Sequence, residues 1–299
     1  MKADKLFSLI IPTYNRADFI SVAVSSALNQ TYSNFEVIVI DDGSTDNTEE
    51  VIAEFRHPKL FYYKKQNAER AAARNLGIAK AKGDYITFLD SDDFLLPHHF
   101  QTAFDFINAN DEPPLFYQLN NFVDQNGKVL SQIGPISGSL NIQLIVDGNF
   151  LSCIGVFIKS EIAKSFLFNE DRALSGTEDH ELWCRLAAHY EIGYNNIVTA
   201  SMVQHDSRSV MQVDEQKLIT RLELFIKYVS TDEAFIKKYT WLMPAMKSQA
   251  LSYLSLHFAV THKHFKLAFL YFRKAWAVYP AFISHRRFYA IVKHLFKSI

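Results

Sequence analysis

The sequence has few cysteines and no long apolar run. Only Cys153 and Cys184 occur in 299 residues, 31 positions apart, so neither a disulfide framework nor a cysteine-rich zinc site is expected. No stretch approaches the roughly 18 consecutive apolar residues of a membrane-spanning helix. The apolar run near the start is shorter than a secretory signal, and Pro12 interrupts it. The sequence therefore predicts a protein of a reducing, intracellular compartment.

Acidic residues are missing from the end of the chain. No Asp or Glu follows Glu233, whereas residues 234–299 contain 11 Lys or Arg. The net charge of −1 therefore conceals an acidic first part and a basic last part. A chain of this length is expected to form one large domain and a smaller one. We place the boundary between residues 213 and 214.

Glycine-rich phosphate loops are also missing. The sequence contains neither G-x-G-x-x-G nor G-x-x-x-x-G-K-[ST], which removes the main support for a dinucleotide-binding or P-loop protein. Among its 11 histidines there is no H-E-x-x-H, so a zinc hydrolase is not indicated.

Short apolar segments alternate with helical segments through the first hundred residues. This alternation predicts βαβ units and a mostly parallel sheet, hence an α/β fold. An Ala-rich helix is expected over 68–82, a hairpin around Asn126-Gly127, and helices from about residue 214 onward. The four predicted strands of the first hundred residues are 7–12, 35–40, 59–64 and the apolar part of 84–97.

Polar clusters follow three of these strands, at the edge of a parallel sheet where ligands bind. Asp90 and Asp92 have a D-x-D spacing that suits a hard divalent cation such as Mg²⁺ or Mn²⁺. The alternative is a solvated turn, in which Asp93 caps the helix that contains Pro97. "DDGS", at 41–44, is either a turn with a helix cap or a site where a carboxylate accepts a base N–H.

Two segments carry a family resemblance. "SLIIPTYNRADFISVAVSSALNQTYSNFEVIVIDDGSTDNT" and "NAERAAARNLGIAKAKGDYITFLDSDD" resemble the family 2 glycosyltransferases, densely over residues 7–100 and more sparsely to about 209. The resemblance implies a GT-A fold, an inverting mechanism, a nucleotide-sugar donor that is usually UDP-linked, a metal bound by D-x-D, and a carboxylate base in an "ED" motif. Residues 1–100 would then bind the nucleotide-sugar, and 101–213 would provide the acceptor side and the base.

The resemblance also assigns site residues. Asp179 matches the catalytic base, with Glu178 beside it. Asp90, Asp92 and His205 match the metal site, at which Mn²⁺ or Mg²⁺ is expected. The residues implied in nucleotide binding are Pro12, Thr13, Tyr14, Asn15, Asp42, Arg74, Asp90, Ser91, Arg208 and Ser209.

Other interpretations of these residues stay open at this stage. Asp179 and Glu178 also suit the start of a helix, whose dipole acids complement, and His205 also suits the end of a strand. One departure from the family is visible: Glu69 stands where many members have Gly. This leaves the fold expectation untouched but weakens any transfer of sugar specificity.

The basic end of the chain has amphipathic character. An apolar stripe in residues 286–298 faces away from most of the basic side chains, a pattern typical of an interfacial helix on anionic lipid. The alternative is a helical subdomain packed on the catalytic domain, with its Lys and Arg merely solvated. A nucleic-acid role fits less well, because the rest of the chain is acidic and no nucleic-acid motif occurs. The stripe consists of Phe288, Ile291, Val292, Leu295 and Phe296.

The sequence thus predicts a hexosyl-type transferase that moves sugar from a UDP-sugar to a glycan or lipid-linked acceptor in cell-surface polysaccharide or lipopolysaccharide synthesis. It is expected to be cytoplasmic, or peripheral on the cytoplasmic face of the inner membrane. The alternatives are a sugar nucleotidyltransferase and a non-catalytic nucleotide-sugar-binding or membrane scaffold protein. The former would need a glycine-rich loop after the first strand, which "PTYNRAD" lacks.

Overall fold

The structure, a computed structural model, describes residues 4–132, 138–205, 214–261 and 264–297. The chain forms two compact units. The first comprises Met1–Leu140, Leu151–Leu182 and Tyr190–Gln212, and the second comprises Asn141–Phe150, Trp183–His189 and Val213–Ile299. The catalytic role expected for residues 1–213 stays a prediction.

The strands are β1 (Phe7–Thr13), β2 (Phe35–Asp41), β3 (Leu60–Lys64), β4 (Tyr85–Phe88), β5 (Phe94–Leu95), β6 (Leu115–Val123), β7 (Val129–Gln132), β8 (Val156–Lys159) and β9 (Gly193–Val203). The α-helices are α1 (Ala17–Leu28), α2 (Thr48–Ala53), α3 (Glu69–Lys80), α4 (His99–Ala109), α5 (Leu140–Val146), α6 (Ser160–Ser165), α7 (Glu178–His189), α8 (Glu215–Thr231), α9 (Glu233–Tyr239), α10 (Met243–Thr261), α11 (Phe265–Val278) and α12 (Arg286–Lys297).

One mixed sheet runs through the first unit, in the order β3-β2-β1-β4-β8-β6-β9-β5, with β7 paired to β6. The strands from β3 to β4 are parallel, whereas β8 is antiparallel to both β4 and β6. The predicted α/β class is confirmed. The parallel strands, β1 to β4, are those that were predicted from the first hundred residues. In that half Thr13 pairs with Asp41, so the polar ends of β1 and β2 lie side by side.

Every side chain of β1 and β2 is buried. Helices on both faces of a parallel sheet produce this pattern, and it explains why these strands are continuous apolar runs. On one face α3 approaches β1 closely at Gly77, where an added Cβ would lie 2.4 Å from Cγ2 of Ile10. Glycine at this position therefore sets the distance between helix and sheet.

Two local predictions have clear outcomes. The hairpin is confirmed: Asp124 N–H donates to Lys128 O at 3.0 Å, and Gly127 has a φ of +79°. The proposed capping role of Asp93 is wrong. The short strand β5 intervenes before α4, and the Asp93 carboxylate accepts the backbone N–H of Val203 at 2.9 Å instead.

The second unit is helical, as the sequence predicted for residues 214 onward. Its core is formed by α8, α10, α11 and α12 together with Phe282. Ile291 and Leu295, from the apolar stripe of α12, lie in this core, and Phe288 packs against it. The stripe therefore packs within the helical unit. Among the helices in the described ranges, none has the length and apolar character that crossing a membrane requires.

Candidate functional site

A cavity of about 570 Å³ opens at the carboxyl ends of the parallel strands. This is the edge at which ligands bind in open α/β sheets. The predicted residues that line it are Pro12, Thr13, Tyr14, Asp42, Arg74, Asp90, Ser91, Asp92 and Asp179. Segments far apart in the sequence thus meet at one place.

The loops after β1 and β2 hold each other in position. Asn15 has a φ of +50°; its backbone N–H donates to Ser44 Oγ at 2.9 Å, and its side-chain oxygen accepts Thr45 N–H at 2.8 Å. Asp41 accepts the backbone N–H of Ser44 at 2.7 Å. These bonds fix the loop. Asn15 is not among the residues that line the cavity, and its expected part in nucleotide binding stays a prediction.

Asp42 lies at one end of the cavity and is almost fully buried. Its Oδ1 atom accepts hydrogen bonds from Lys65 Nζ at 2.7 Å and from the backbone N–H of Ala68 at 2.9 Å. Among the described residues no group donates to Oδ2, so that oxygen can accept an N–H from a ligand. The nearby Thr13 hydroxyl is buried and likewise has no partner in the described ranges.

Arg74 occupies the centre of the site, with only 2% of its surface exposed. Its two terminal nitrogens donate to different acids, NH2 to Asp90 Oδ1 and NH1 to Glu178 Oε1, both at 2.8 Å. The helix α3 supplies this arginine, β4 leads to Asp90, and α7 begins at Glu178. One guanidinium therefore joins three separate elements.

Glu178 is buried and charged. Burial alone would raise the pKa of this carboxyl, but Arg70, Arg74 and the N–H of Gly176 outweigh burial and hold the pKa below its ordinary value. The Gly176 N–H lies 2.5 Å from Oε2, and Arg70 Nε lies 3.8 Å from Oε1. Since both oxygens are engaged, Glu178 serves to hold the start of α7 rather than to take up a proton.

Asp179 follows at the same helix start and lines the cavity. Its Oδ1 accepts the backbone N–H of His180 at 2.7 Å. The helix-start interpretation and the base interpretation are compatible, because the carboxylate is half-buried and borders the cavity at the same time.

The D-x-D segment and His205 are close together. His205 Nε2 lies 3.1 Å from Asp92 Oδ2, and its ring stacks on Phe19 at 5.0 Å. The predicted residues Arg208 and Ser209 lie outside the described residues. In the described ranges no group of three His, Cys, Asp or Glu is arranged to hold a metal ion.

The donor chemistry nevertheless fits a divalent cation. Mg²⁺ and similar ions are commonly held by one or two carboxylates together with substrate phosphates, rather than by a full set of protein ligands. Asp90 and Asp92 both border the cavity and provide such oxygens.

Several cavity residues were not identified from the sequence. Arg16 comes directly after "PTYN", and Arg70 lies one helical turn before Arg74. Both could therefore have been predicted to lie near the site from their positions in the sequence. Ser152 and Cys153 could not, because a short 3₁₀ turn brings them to the cavity. Burial raises the pKa of the Cys153 thiol well above its ordinary value, so the thiol is a neutral part of the wall.

Comparison with known proteins identifies the class. The model of "Glycosyl transferase family 2" matches residues 8–131. A relative from Escherichia coli, "UDP-Glc:alpha-D-GlcNAc-diphosphoundecaprenol beta-1,3-glucosyltransferase WfaP", is 30% identical over 183 residues, which cover 61% of this chain and 70% of the relative. The chain belongs to glycosyltransferase family 2.

Two further comparisons bear on length and fold. An uncharacterized glycosyltransferase of Rickettsia bellii is 32% identical over 216 residues, which cover 70% of this chain but 31% of the relative, so this chain spans about a third of the length of such relatives. The structure of S. aureus TarS 1-349 in complex with UDP-GlcNAc superimposes with a TM-score of 0.71 over 98% of this chain and 89% of that chain, at 18% identity. This likeness shows a shared fold.

Proposed function

We propose that this protein is an inverting glycosyltransferase that moves a hexosyl group from a UDP-sugar to a hydroxyl of a glycan or lipid-linked acceptor in cell-surface polysaccharide or lipopolysaccharide synthesis. The observation that carries the proposal is the single cavity that brings Asp42, the Asp90–Asp92 pair and Asp179 together. Support for the donor and acceptor classes comes from the Escherichia coli relative, whose name specifies UDP-Glc and a diphosphoundecaprenol-linked sugar.

The Asp42 end of the cavity suits a nucleoside. The Asp42 oxygen that accepts no bond from the described residues would take the N–H of a uracil ring, and the buried Thr13 hydroxyl lies on the same wall. Tyr14, about half exposed, offers an aromatic face at the opening, on which a base can stack. These groups would bind the nucleotide before any chemistry occurs.

Asp90 and Asp92 would hold a divalent cation against the diphosphate, with His205 orienting Asp92. When bound, such a cation neutralises the charge that develops on the departing diphosphate. Arg74 donates to Asp90 Oδ1 at 2.8 Å, so this carboxylate is held in position without help from the ligand.

Asp179 would act as the general base. It would accept the proton of the acceptor hydroxyl while that oxygen attacks the anomeric carbon from the face opposite the leaving diphosphate. Attack from the opposite face inverts the anomeric configuration and requires no covalent sugar–enzyme intermediate. Glu178 is held in its two-arginine pairing, and Asp179, the next residue, borders the cavity.

The donor site can be tested by titration calorimetry with UDP, with and without Mn²⁺. Mn²⁺ should strengthen UDP binding to the wild type, and Asp92→Asn should abolish that gain. Asp105→Asn, a change of the same kind on the exposed face of α4 outside the cavity, should behave as wild type. UDP binding that ignores Mn²⁺ would rule out the metal site.

The base can be tested by substitution. Asp179→Asn should keep the UDP affinity of the wild type while transfer, measured as UDP release in the presence of acceptor, falls at least 100-fold. Asp105→Asn, on the exposed face of α4 and outside the cavity, is again the control. Undiminished transfer by Asp179→Asn would eliminate Asp179 as the base.

We also propose that the helical unit contacts an anionic membrane surface, where a lipid-linked acceptor would be found. The support is an apolar groove of about 510 Å³ on α11, bordered by Phe269, Phe272, Trp276 and Pro280, with Arg273 at its side. Trp276 is 45% exposed. No acid follows Glu233 in the sequence, so the groove lies in a region that attracts negatively charged headgroups.

Vesicle co-sedimentation tests this contact with the full chain. Vesicles containing phosphatidylglycerol should bind the protein, neutral phosphatidylcholine vesicles should not, and 0.5 M salt should release it. Phe269→Ser/Trp276→Ser should weaken binding, whereas Trp241→Ser, an exposed tryptophan away from the groove, should not. Binding that is equal on both lipids, or undiminished in the double variant, would refute the proposal.

A further inference from the structure

Glu69 has an unusual backbone conformation at the edge of the cavity. Its φ is +73°, in the left-handed region where the Cβ of an L residue is crowded and glycine is favoured. This chain therefore carries a side chain at a position where the backbone disfavours one. A residue retained in such a conformation at a ligand site suggests a functional reason for the side chain.

The Glu69 carboxylate points along the cavity wall toward α7. Its neighbour Ala68 donates its N–H to Asp42 at the nucleoside end. The Glu69 Oε2 atom, in contrast, accepts the hydroxyl of Ser175 at 3.3 Å, and Ser175 precedes the cavity residues Gly176 and Glu178. The residue therefore spans from the nucleoside end to the end that contains Asp179.

Two further contacts fix the loop that Ser175 belongs to. Asn75 and Phe168 exchange hydrogen bonds through the Asn75 side chain and the Phe168 backbone, both at 2.9 Å. Arg172 donates to the Asn67 carbonyl at 2.7 Å. These bonds hold the backbone segments on both sides of the contact between Glu69 and Ser175.

The charge of Glu69 limits what it can contact. A carboxylate repels the diphosphate that Asp90 and Asp92 would hold through a cation, but it accepts hydrogen bonds from sugar hydroxyls readily. Among the described residues Ser175 is the one hydrogen-bond partner of this carboxylate, so its Oε1 atom can accept from a ligand. In the proposed function the donor sugar lies between the diphosphate and Asp179, and Glu69 lines the same cavity with its carboxylate bonded to Ser175, shortly before Asp179 in the chain.

We propose that Glu69 determines donor specificity, by accepting hydrogen bonds from hydroxyls of a neutral hexosyl group and by repelling a hexuronosyl group. This inference rests on the proposed glycosyltransferase function and deepens it. UDP-glucose and UDP-glucuronic acid are suitable probes, because they differ only in whether C6 is a hydroxymethyl group or a carboxylate.

The test measures the affinities of wild type, Glu69→Gln and Glu69→Gly for UDP, UDP-glucose and UDP-glucuronic acid by calorimetry in the presence of Mn²⁺. We expect UDP affinity to change less than twofold in both variants, because Glu69 faces the sugar. Affinity for UDP-glucose should fall about tenfold in Glu69→Gln, the difference between a charge-assisted and a neutral hydrogen bond. The ratio of the affinity for UDP-glucose to the affinity for UDP-glucuronic acid should be smaller in Glu69→Gln than in the wild type by a similar factor.

Thermal unfolding of the same proteins provides a second measurement. Glu69→Gly should not lower the melting temperature, because it relieves the left-handed strain, whereas Glu69→Ala keeps that strain. A preference that stays unchanged in both Gln and Gly variants, with UDP still bound, would overturn the role of Glu69 alone. A wild type that binds neither UDP nor either UDP-sugar would overturn the proposed function together with this inference.

Discussion

The Arg74 ion pairs offer the sharpest test of how the site is held together. Arg74→Met keeps the length of the side chain but removes the charge that faces Asp90 and Glu178. Asp90 is about one third exposed, so the loss of its pairing is screened and costs at most about 1 kcal/mol. Glu178 is 3% exposed but keeps Arg70 and the Gly176 N–H in the variant, so the loss of Arg74 should cost about 2–3 kcal/mol, less than the about 3–5 kcal/mol of a buried acid left with no partner.

Arg70 provides a matched control on the same helix. Its Nε lies 3.8 Å from Glu178 and its side chain is 29% exposed, whereas Arg74 lies 2.8 Å from Glu178 and is 2% exposed, so Arg70→Met should cost less than Arg74→Met. The double variant Arg74→Met/Glu178→Gln should cost about 2 kcal/mol less than the sum of its two single changes, because neither charge is then left alone.

The assay is urea unfolding followed by far-ultraviolet circular dichroism at pH 7, repeated near pH 4. The paired arginines lower the pKa of Glu178, so their stabilisation is present above the unfolded pKa of about 4.3 and is lost as the pH falls through the folded pKa. The deficit of Arg74→Met should therefore shrink in acid. Equal costs for Arg70→Met and Arg74→Met, or strict additivity in the double variant, would refute this account.

Three other substitutions test the sheet and its surroundings. Gly77→Ala should destabilise by about 1–2 kcal/mol in urea unfolding, since the overlap with Ile10 exceeds the helix-propensity gain; a more stable variant contradicts the close approach. Ser8→Ala should cost about 1–3 kcal/mol, because the Ser8 hydroxyl donates to the buried Glu36 at 2.6 Å, and a cost below about 0.5 kcal/mol would contradict this. Burial lowers the pKa of His99 to about 3. Below pH 6.5 the His99 imidazole therefore becomes protonated in the unfolded chain but stays neutral in the folded chain. Wild type should then lose about 2 kcal/mol more than His99→Phe between pH 7 and pH 5, and identical losses would contradict the assignment.

The parallel half of the sheet could be predicted because its signals are local. Apolar runs, helix periodicity and polar clusters at strand ends are all properties of neighbouring residues, and parallel pairing then brings Asp42 and Asp90 to one edge. The order of β8, β6 and β9 was not predicted, since no short-range pattern specifies which distant strands pair.

The predictions that failed in and around the site also depended on contacts between residues far apart in the sequence. Asp93 is of a residue type that often caps helices, but its hydrogen bond with Val203, 110 positions away, determines its role. The strain at Glu69 was invisible because φ depends on the loop that surrounds it, although the contrast with glycine in relatives marked the position. The stripe on α12 was read correctly as apolar, and tertiary packing decided what it covers.

The Arg74–Glu178 pair has a consequence for the order in which the molecule folds. The two residues are 104 positions apart, and the Asn75–Phe168 bonds close a loop of 93. During synthesis the β1–β4 half emerges and can collapse long before α7 exists. At that stage Arg74 can pair with Asp90 but not yet with Glu178. Closing such long loops is slow, so binding competence should appear as a late, separate kinetic phase after most of the secondary structure has formed.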